Sequence, residues 1–156
     1  MRIGIRTMVV LAVTAAVGLW AADDPLMATW KLNVEKSSFG SITPPKSQVI
    51  KLEAVGSNGL RHTEEIVNAR GEAHHNNYTA QFGDQGSPME GDANRDTRVL
   101  NRIDSHTMEI VYKKDGKVVE RYHRVVAQDG KTMTVTYKGE TERTQRMNRT
   151  MVFDRQ

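Results

Sequence analysis

After residue 23 apolar and polar residues alternate along most of the chain, and turn-forming residues interrupt the alternation about every ten positions. A period of two is the signature of half-buried strands, and no window sustains the i, i+3, i+4, i+7 spacing of an amphipathic helix. The pattern predicts strands at Met27–Asn33, Gln48–Val55, Leu60–Asn68, Glu72–Phe82 and Thr97–Ile103. It predicts four more at His106–Lys113, Lys117–Ala127, Lys131–Gly139 and Gln145–Asp154, with a tenth if Ser87–Gly91 pairs. Gly56-Ser57-Asn58-Gly59, Ala69-Arg70-Gly71, Asp104-Ser105, Asp115-Gly116 and Asp129-Gly130 supply hairpin turns. The long stretches without strand character are Glu35–Lys46 and Gly83–Asp96. Many short strands on short loops must hide their edges. The expected fold is therefore all-β, an antiparallel up-and-down barrel of about eight to ten strands, with a β-sandwich as the alternative.

Parity within a strand tells which side chains share a face. Met108, Ile110 and Tyr112 line one face of their strand, and Met133, Val135 and Tyr137 one face of theirs, so both faces look inward. The strand Lys117–Ala127 lies between them. A two-residue turn at Asp115-Gly116 sets Tyr112 opposite Val119 and turns Arg121 and His123 inward. A three-residue loop shifts the register by one and brings in Glu120 and Arg124 instead. Both registers carry charge inside, and buried charge is costly unless paired or solvated. The interior is thus expected to be other than a dry core. In the hairpin Leu60–Phe82, a loop ending on Gly71 pairs His62 with Tyr78, Glu64 with Asn76 and Ile66 with His74. This places polar groups among apolar ones near one mouth of the barrel.

The first 22 residues have a different character. Arg2 and Arg6 precede the uncharged, mostly apolar stretch Thr7–Leu19, and small Ala21 and Ala22 stand before Asp23 and Asp24. This is the pattern of a secretory signal peptide cleaved near Ala21 or Ala22, and its apolar core falls short of the roughly 20 residues that span a bilayer. Residues 23–156 then form one domain in the periplasmic or extracellular space of a bacterium, with no stable membrane insertion after cleavage. The charge picture changes accordingly. The whole chain carries +3, but loss of Arg2 and Arg6 leaves it near neutral, which removes the argument for nucleic acid or an anionic membrane surface as partner. The chain has no cysteine, which excludes disulfides, thiolate chemistry and cysteine-ligated metals.

Ala28-Thr29-Trp30-Lys31-Leu32-Asn33 resembles the opening strand of the calycins, the lipocalins and fatty-acid-binding proteins, with Ala28 in place of their signature glycine. Arg149-Thr150-Met151-Val152-Phe153-Asp154 is similar to their last strand, where an inward arginine can bind a carboxylate; Met151 stands where that strand has an aromatic residue. Thr29–Asn33, Lys117–Arg124 and Asp129–Thr134 together resemble a family of small exported bacterial proteins. These likenesses imply a barrel holding one small ligand and specify no reaction.

Candidate chemistry follows from the inward face. Reversible binding of a small amphipathic or hydrophobic, lipid-like ligand is the leading expectation, with His62, Tyr78, Tyr112, Tyr137 and Arg149 as the binding residues and no cofactor. Met108, Met133, Met147 and Met151 are expected to face inward as well. A packed barrel serving as an envelope or protein-interaction module is the alternative. An enzyme, a hydrolase or isomerase using His62, Glu64 and Tyr78, ranks below both, because no nucleophile elbow or catalytic triad is present. His62, Glu64 and His74 form the one set with metal-ligand character, while adjacent His74 and His75 diverge on a strand and cannot share an ion. No metal is expected.

Overall fold

The computed structural model describes residues 24–156; the segment expected to be a signal peptide, with Ala21 and Ala22, lies outside the described residues. Ten strands form a single antiparallel sheet: β1 (Thr29–Ser38), β2 (Ser47–Val55), β3 (Gly59–Val67), β4 (Ala73–Gln81), β5 (Gly83–Pro88), β6 (Thr97–Arg102), β7 (Thr107–Lys114), β8 (Lys117–Val126), β9 (Thr132–Gly139) and β10 (Arg149–Arg155). One helical turn, α1 (Glu142–Gln145), joins β9 to β10. The order β4-β3-β2-β1-β10-β9-β8-β7-β6-β5 is an up-and-down meander in which the first and last strands pair with each other. Trp30 faces Arg155 and Leu32 faces Phe153 across that pairing. The sheet curls into a barrel that closes except at a seam between β4 and β5, which share no ladder. The sandwich alternative is thereby set aside.

The β3–β4 hairpin has the expected register at every position, His62 opposite Tyr78, Glu64 opposite Asn76 and Ile66 opposite His74. Gly71, at φ 92°, closes its loop in a conformation that a Cβ would strain. The β7–β8 hairpin combines the two readings. Asp115 and Gly116 both have positive φ, as a two-residue turn matched to strand twist requires, and Lys114 pairs with Lys117. One extra residue is then absorbed at Val118–Glu120, so that Tyr112 faces Glu120, Ile110 faces Tyr122 and Met108 faces Arg124. This β-bulge turns Glu120, Tyr122 and Arg124 inward and leaves Arg121 and His123 outside. The Val119 carbonyl freed by the bulge accepts from the Glu140 N–H at 2.9 Å and the Thr144 hydroxyl at 3.0 Å.

Three expectations are corrected. Gly83–Asp96 is not all loop, since Gly83–Pro88 pairs with β6 as the tenth strand, earlier in the chain than Ser87–Gly91. The last strand begins at Arg149 rather than Gln145. Thr141 and Thr144 exchange side chain-to-backbone hydrogen bonds at 3.0 and 3.2 Å, a capping box that coils Glu142–Gln145 instead. Met147 follows that turn and is exposed, whereas Met108, Met133 and Met151 are buried.

The barrel interior divides by level. At the end closed by Trp30, whose indole N–H donates to the Leu26 carbonyl at 3.1 Å, the inward residues are apolar: Leu52, Leu60, Leu100, Met133 and Phe153. Going up the same strands the character reverses. Leu60 gives way to His62, Ala80 to Tyr78, Leu100 to Arg98 and Val126 to Arg124, while Phe153 is followed by Met151 and then Arg149. Antiparallel pairing puts these steps side by side, so the change runs across the barrel as a layer boundary.

Candidate functional site

Above this boundary lies a cavity of about 590 Å³, floored by Ile110 and Met151 and opening toward the β5–β6 loop and the mouth of β4. Four arginines from three strands and that loop reach it: Arg98 of β6, Arg124 of β8, Arg149 of β10, and Arg95. They are held differently. Arg95 is matched by two carboxylates, Asp92 at 2.6 Å and Glu120 at 2.9 Å, and Glu120 also accepts the Tyr137 hydroxyl at 2.6 Å. This chain ties the β5–β6 loop to the barrel wall. Arg149 lies 4.3 Å from the centre of the Tyr137 ring and donates to the Met147 carbonyl.

Arg98 and Arg124 are only 7% and 4% exposed, and neither has a carboxylate within ion-pair distance among the described residues. Arg98 stacks 3.4 Å above the Tyr78 ring, whose other face stacks on His62 at 4.7 Å and 12°. Arg124 Nη1 meets His62 Nδ1 at 3.3 Å. A guanidinium only donates, so Nδ1 accepts and the imidazole proton sits on Nε2, toward Glu64 Oε2 at 3.9 Å. The result is a column of guanidinium, phenol and imidazole with a second guanidinium at its edge. Three donors in it, Arg98 Nε, Arg124 Nε and the Tyr78 hydroxyl, are buried and have no hydrogen-bond partner among the described residues.

Titration follows from this packing. Burial is the main cause of a lowered His62 pKa; nearby Glu64 opposes it, and the charges of Arg124 and Arg98 reinforce it. For Glu64 burial pulls upward, but His62, the 2.6 Å hydrogen bond from Gln48 and the Arg124 charge outweigh it and take the carboxyl down to about 2. Near neutrality the pair is a neutral imidazole beside an ionised carboxylate. Burial raises the Tyr78 and Tyr122 hydroxyls, which stay protonated as donors.

Of the residues singled out in the sequence, His62, Tyr78, Tyr112 and Arg149 line this cavity together. Tyr137 does not; it pairs with Arg149 at the same level, 1% exposed, its ring against the Arg149 guanidinium and its hydroxyl holding Glu120. The set His62, Glu64 and His74 does not converge, because His74 stands exposed at the hairpin end, against Asn68 at 3.3 Å. Among the described residues no three histidines or carboxylates are grouped as a metal site would need. Arg98 and Arg95 were missed by the sequence reading. Arg98 alternates with Leu100 on a recognised strand and could have been found by parity, whereas Arg95 sits in a stretch read as loop.

The wild-type fluorescent protein UnaG superimposes with a TM-score of 0.56 and 17% identity, over 84% of this chain and 97% of that one. A fatty acid binding protein of Schistosoma mansoni, in complex with arachidonic acid, gives 0.59 and 12%, over 85% and 96%. The fold is that of the fatty-acid-binding proteins. No protein-family model matches the chain, and no curated protein shows significant sequence similarity to it. Within this fatty-acid-binding-protein-like barrel the wall is set by the chain's own residues, and seven of the twenty that line the cavity carry formal charge.

Proposed function

We propose that the protein is an exported, reversible binder of a small amphipathic organic anion, held in the upper half of the barrel. The observation that carries this reading is the pair of buried arginines, Arg98 and Arg124, which face a cavity of about 590 Å³ with no carboxylate at ion-pair distance among the described residues. Burying a cation without a counterion is costly, and the cost is removed when an anion arrives to fill both guanidinium forks. Ile110, Met151, Ile66 and Met89 provide the apolar contact for the rest of the ligand. The solved neighbour of the same fold that holds arachidonic acid supports the reading, since its ligand is itself a carboxylate with an apolar body. A packed structural barrel predicts no such cavity, and it is the weaker reading for that reason. Export rests on the leader pattern of Met1–Ala22.

The test uses two fluorescent probes, anionic 8-anilinonaphthalene-1-sulfonate and neutral Nile red, titrated into the purified protein. The sulfonate probe is expected to bind with one site, and an Arg98→Met/Arg124→Met double variant to lose it at least tenfold while Nile red changes little. Undiminished sulfonate binding in that variant would remove the basis of the proposal.

A further inference from the structure

Tyr78 and Tyr112, two of the aromatic rings that line the cavity, are already covered. One face of Tyr78 is taken by Arg98 at 3.4 Å and the other by His62 at 4.7 Å. Over Tyr112 lie Arg95 at 4.7 Å and Arg98 at 5.5 Å, with Tyr122 packed edge-on beside it. These two rings, which could have offered carbon to a hydrocarbon tail, therefore present guanidinium planes. Five of the twenty lining residues are aliphatic, against seven with formal charge and three side-chain amides, Gln48, Asn76 and Asn77. A saturated chain laid along this wall strips water from charged and amide groups and returns no hydrogen bond. A hydroxylated body exchanges those waters one for one.

The cavity wall carries both donors and acceptors. Arg98 Nε, Arg124 Nε and the Tyr78 hydroxyl are buried donors lacking acceptors among the described residues. Glu64 and Asp92 line the same cavity as acceptors, the first beside the column and the second in the loop over the mouth. A ligand that answers both carries a carboxylate at one end and hydroxyl groups along its body. Resting on the anion-binding reading above, we infer that the ligand is an oxygen-rich hydroxy acid of sugar-acid character rather than a long-chain fatty acid. Tyr78 is the residue that discriminates between them: its partnerless hydroxyl gains a hydrogen bond from an oxygen-rich ligand and remains unpaired against a methylene chain.

Isothermal titration calorimetry with three compounds of equal carbon number tests this: lactobionate, laurate and neutral lactose, on the full protein and on Tyr78→Phe. Lactobionate is expected to bind at least tenfold more tightly than either of the others, and Tyr78→Phe to weaken lactobionate about tenfold while leaving laurate unchanged. Laurate binding more tightly than lactobionate, with dependence on Arg124, would overturn this inference and leave the anion-binding reading standing. Lactose matching lactobionate would show that the hydroxyls are read without the acid and overturn it too. Heatless titrations with all three, and no thermal shift from any of them, would overturn both readings.

Discussion

Arg98 is the residue whose replacement separates function from stability most sharply. It is 7% exposed, has no ion-pair partner among the described residues, and lies against the rings of Tyr78 at 3.4 Å and Tyr112 at 5.5 Å. An uncompensated buried ion costs several kcal/mol even after relaxation, and a desolvated cation–π contact returns about 2 kcal/mol of that. Methionine has similar reach, carries no charge and gains about 1.5 kcal/mol or more from burial at the same place. Arg98→Met is therefore expected to stabilise the unliganded protein by about 1–3 kcal/mol. At this chain length each kcal/mol raises the melting temperature by about 3–5 °C. The assay is urea and thermal unfolding in a buffer of low ionic strength without carboxylate, phosphate or sulfate, because any bound anion stabilises the wild type selectively. Added ligand should then raise the wild-type transition and leave the variant unmoved. A loss of more than 1 kcal/mol in the anion-free buffer would refute the reasoning, since it would mean that the Arg98 charge is already satisfied within the fold.

Acid sensitivity has two limbs. The folded-state pKa of His62 lies below its unfolded value, so the unfolded chain takes up the proton first and stability declines as pH falls below about 6.5. The stabilisation from Glu64 is present above its ordinary pKa of 4.5 and is lost as pH falls toward about 2. His62→Gln should flatten the first limb and Glu64→Gln the second, and a wild-type slope below pH 6.5 in His62→Gln would contradict the assignment. Gly139 approaches the Thr144 backbone so closely that a Cβ has no room; Gly139→Ala should cost about 1–3 kcal/mol by chemical denaturation, and an unchanged midpoint would show that α1 is free to move away. If the leader directs export as proposed, mass spectrometry of the protein from the envelope or medium should find it beginning at Ala22 or Asp23; an intact Met1 there would exclude cleavage.

Hairpins whose turn chemistry is unambiguous could be read to the residue. Asn68, Gly71 and the alternation on either side fix the β3–β4 register, because a slip of one would send Leu60 and Tyr78 out into water. The β7–β8 hairpin could not be read, although its turn was identified. Its inward face is set by a bulge, and that bulge is stabilised by Glu140 and Thr144, which are remote from it in sequence. The same limit explains α1: Thr141–Thr144 lies between two predicted strands, and nothing local marks a helical turn until the capping box and the Val119 carbonyl are seen together. The site was legible as a statement about polarity, since charge had to enter the barrel in either register. What the sequence did not show is which arginines lack partners. That depends on Asp92 and Glu120 both going to Arg95, which leaves Arg98 and Arg124 without an ion pair among the described residues.

This uneven sharing links the site to the fold. A barrel that keeps two unpaired guanidinium groups above its core gives up stability locally, and a chain without cysteine has no disulfide to offset the loss. The compensation lies in the lower half, where Leu26, Trp30, Leu60, Met108, Met133 and Phe153 are all completely buried and the first and last strands are zipped together. The Glu120 cluster is the hinge between the halves. It draws on the bulge for its inward position, on Tyr137 for its place against the wall, and on Arg95 for its grip on the loop over the mouth. If Glu120 were outside, as the unbulged register has it, Arg95 would keep Asp92 alone and the loop would lose its bond to β8. One inserted residue near Val119 thus sets the sign of the cavity wall and anchors its cover in a single step.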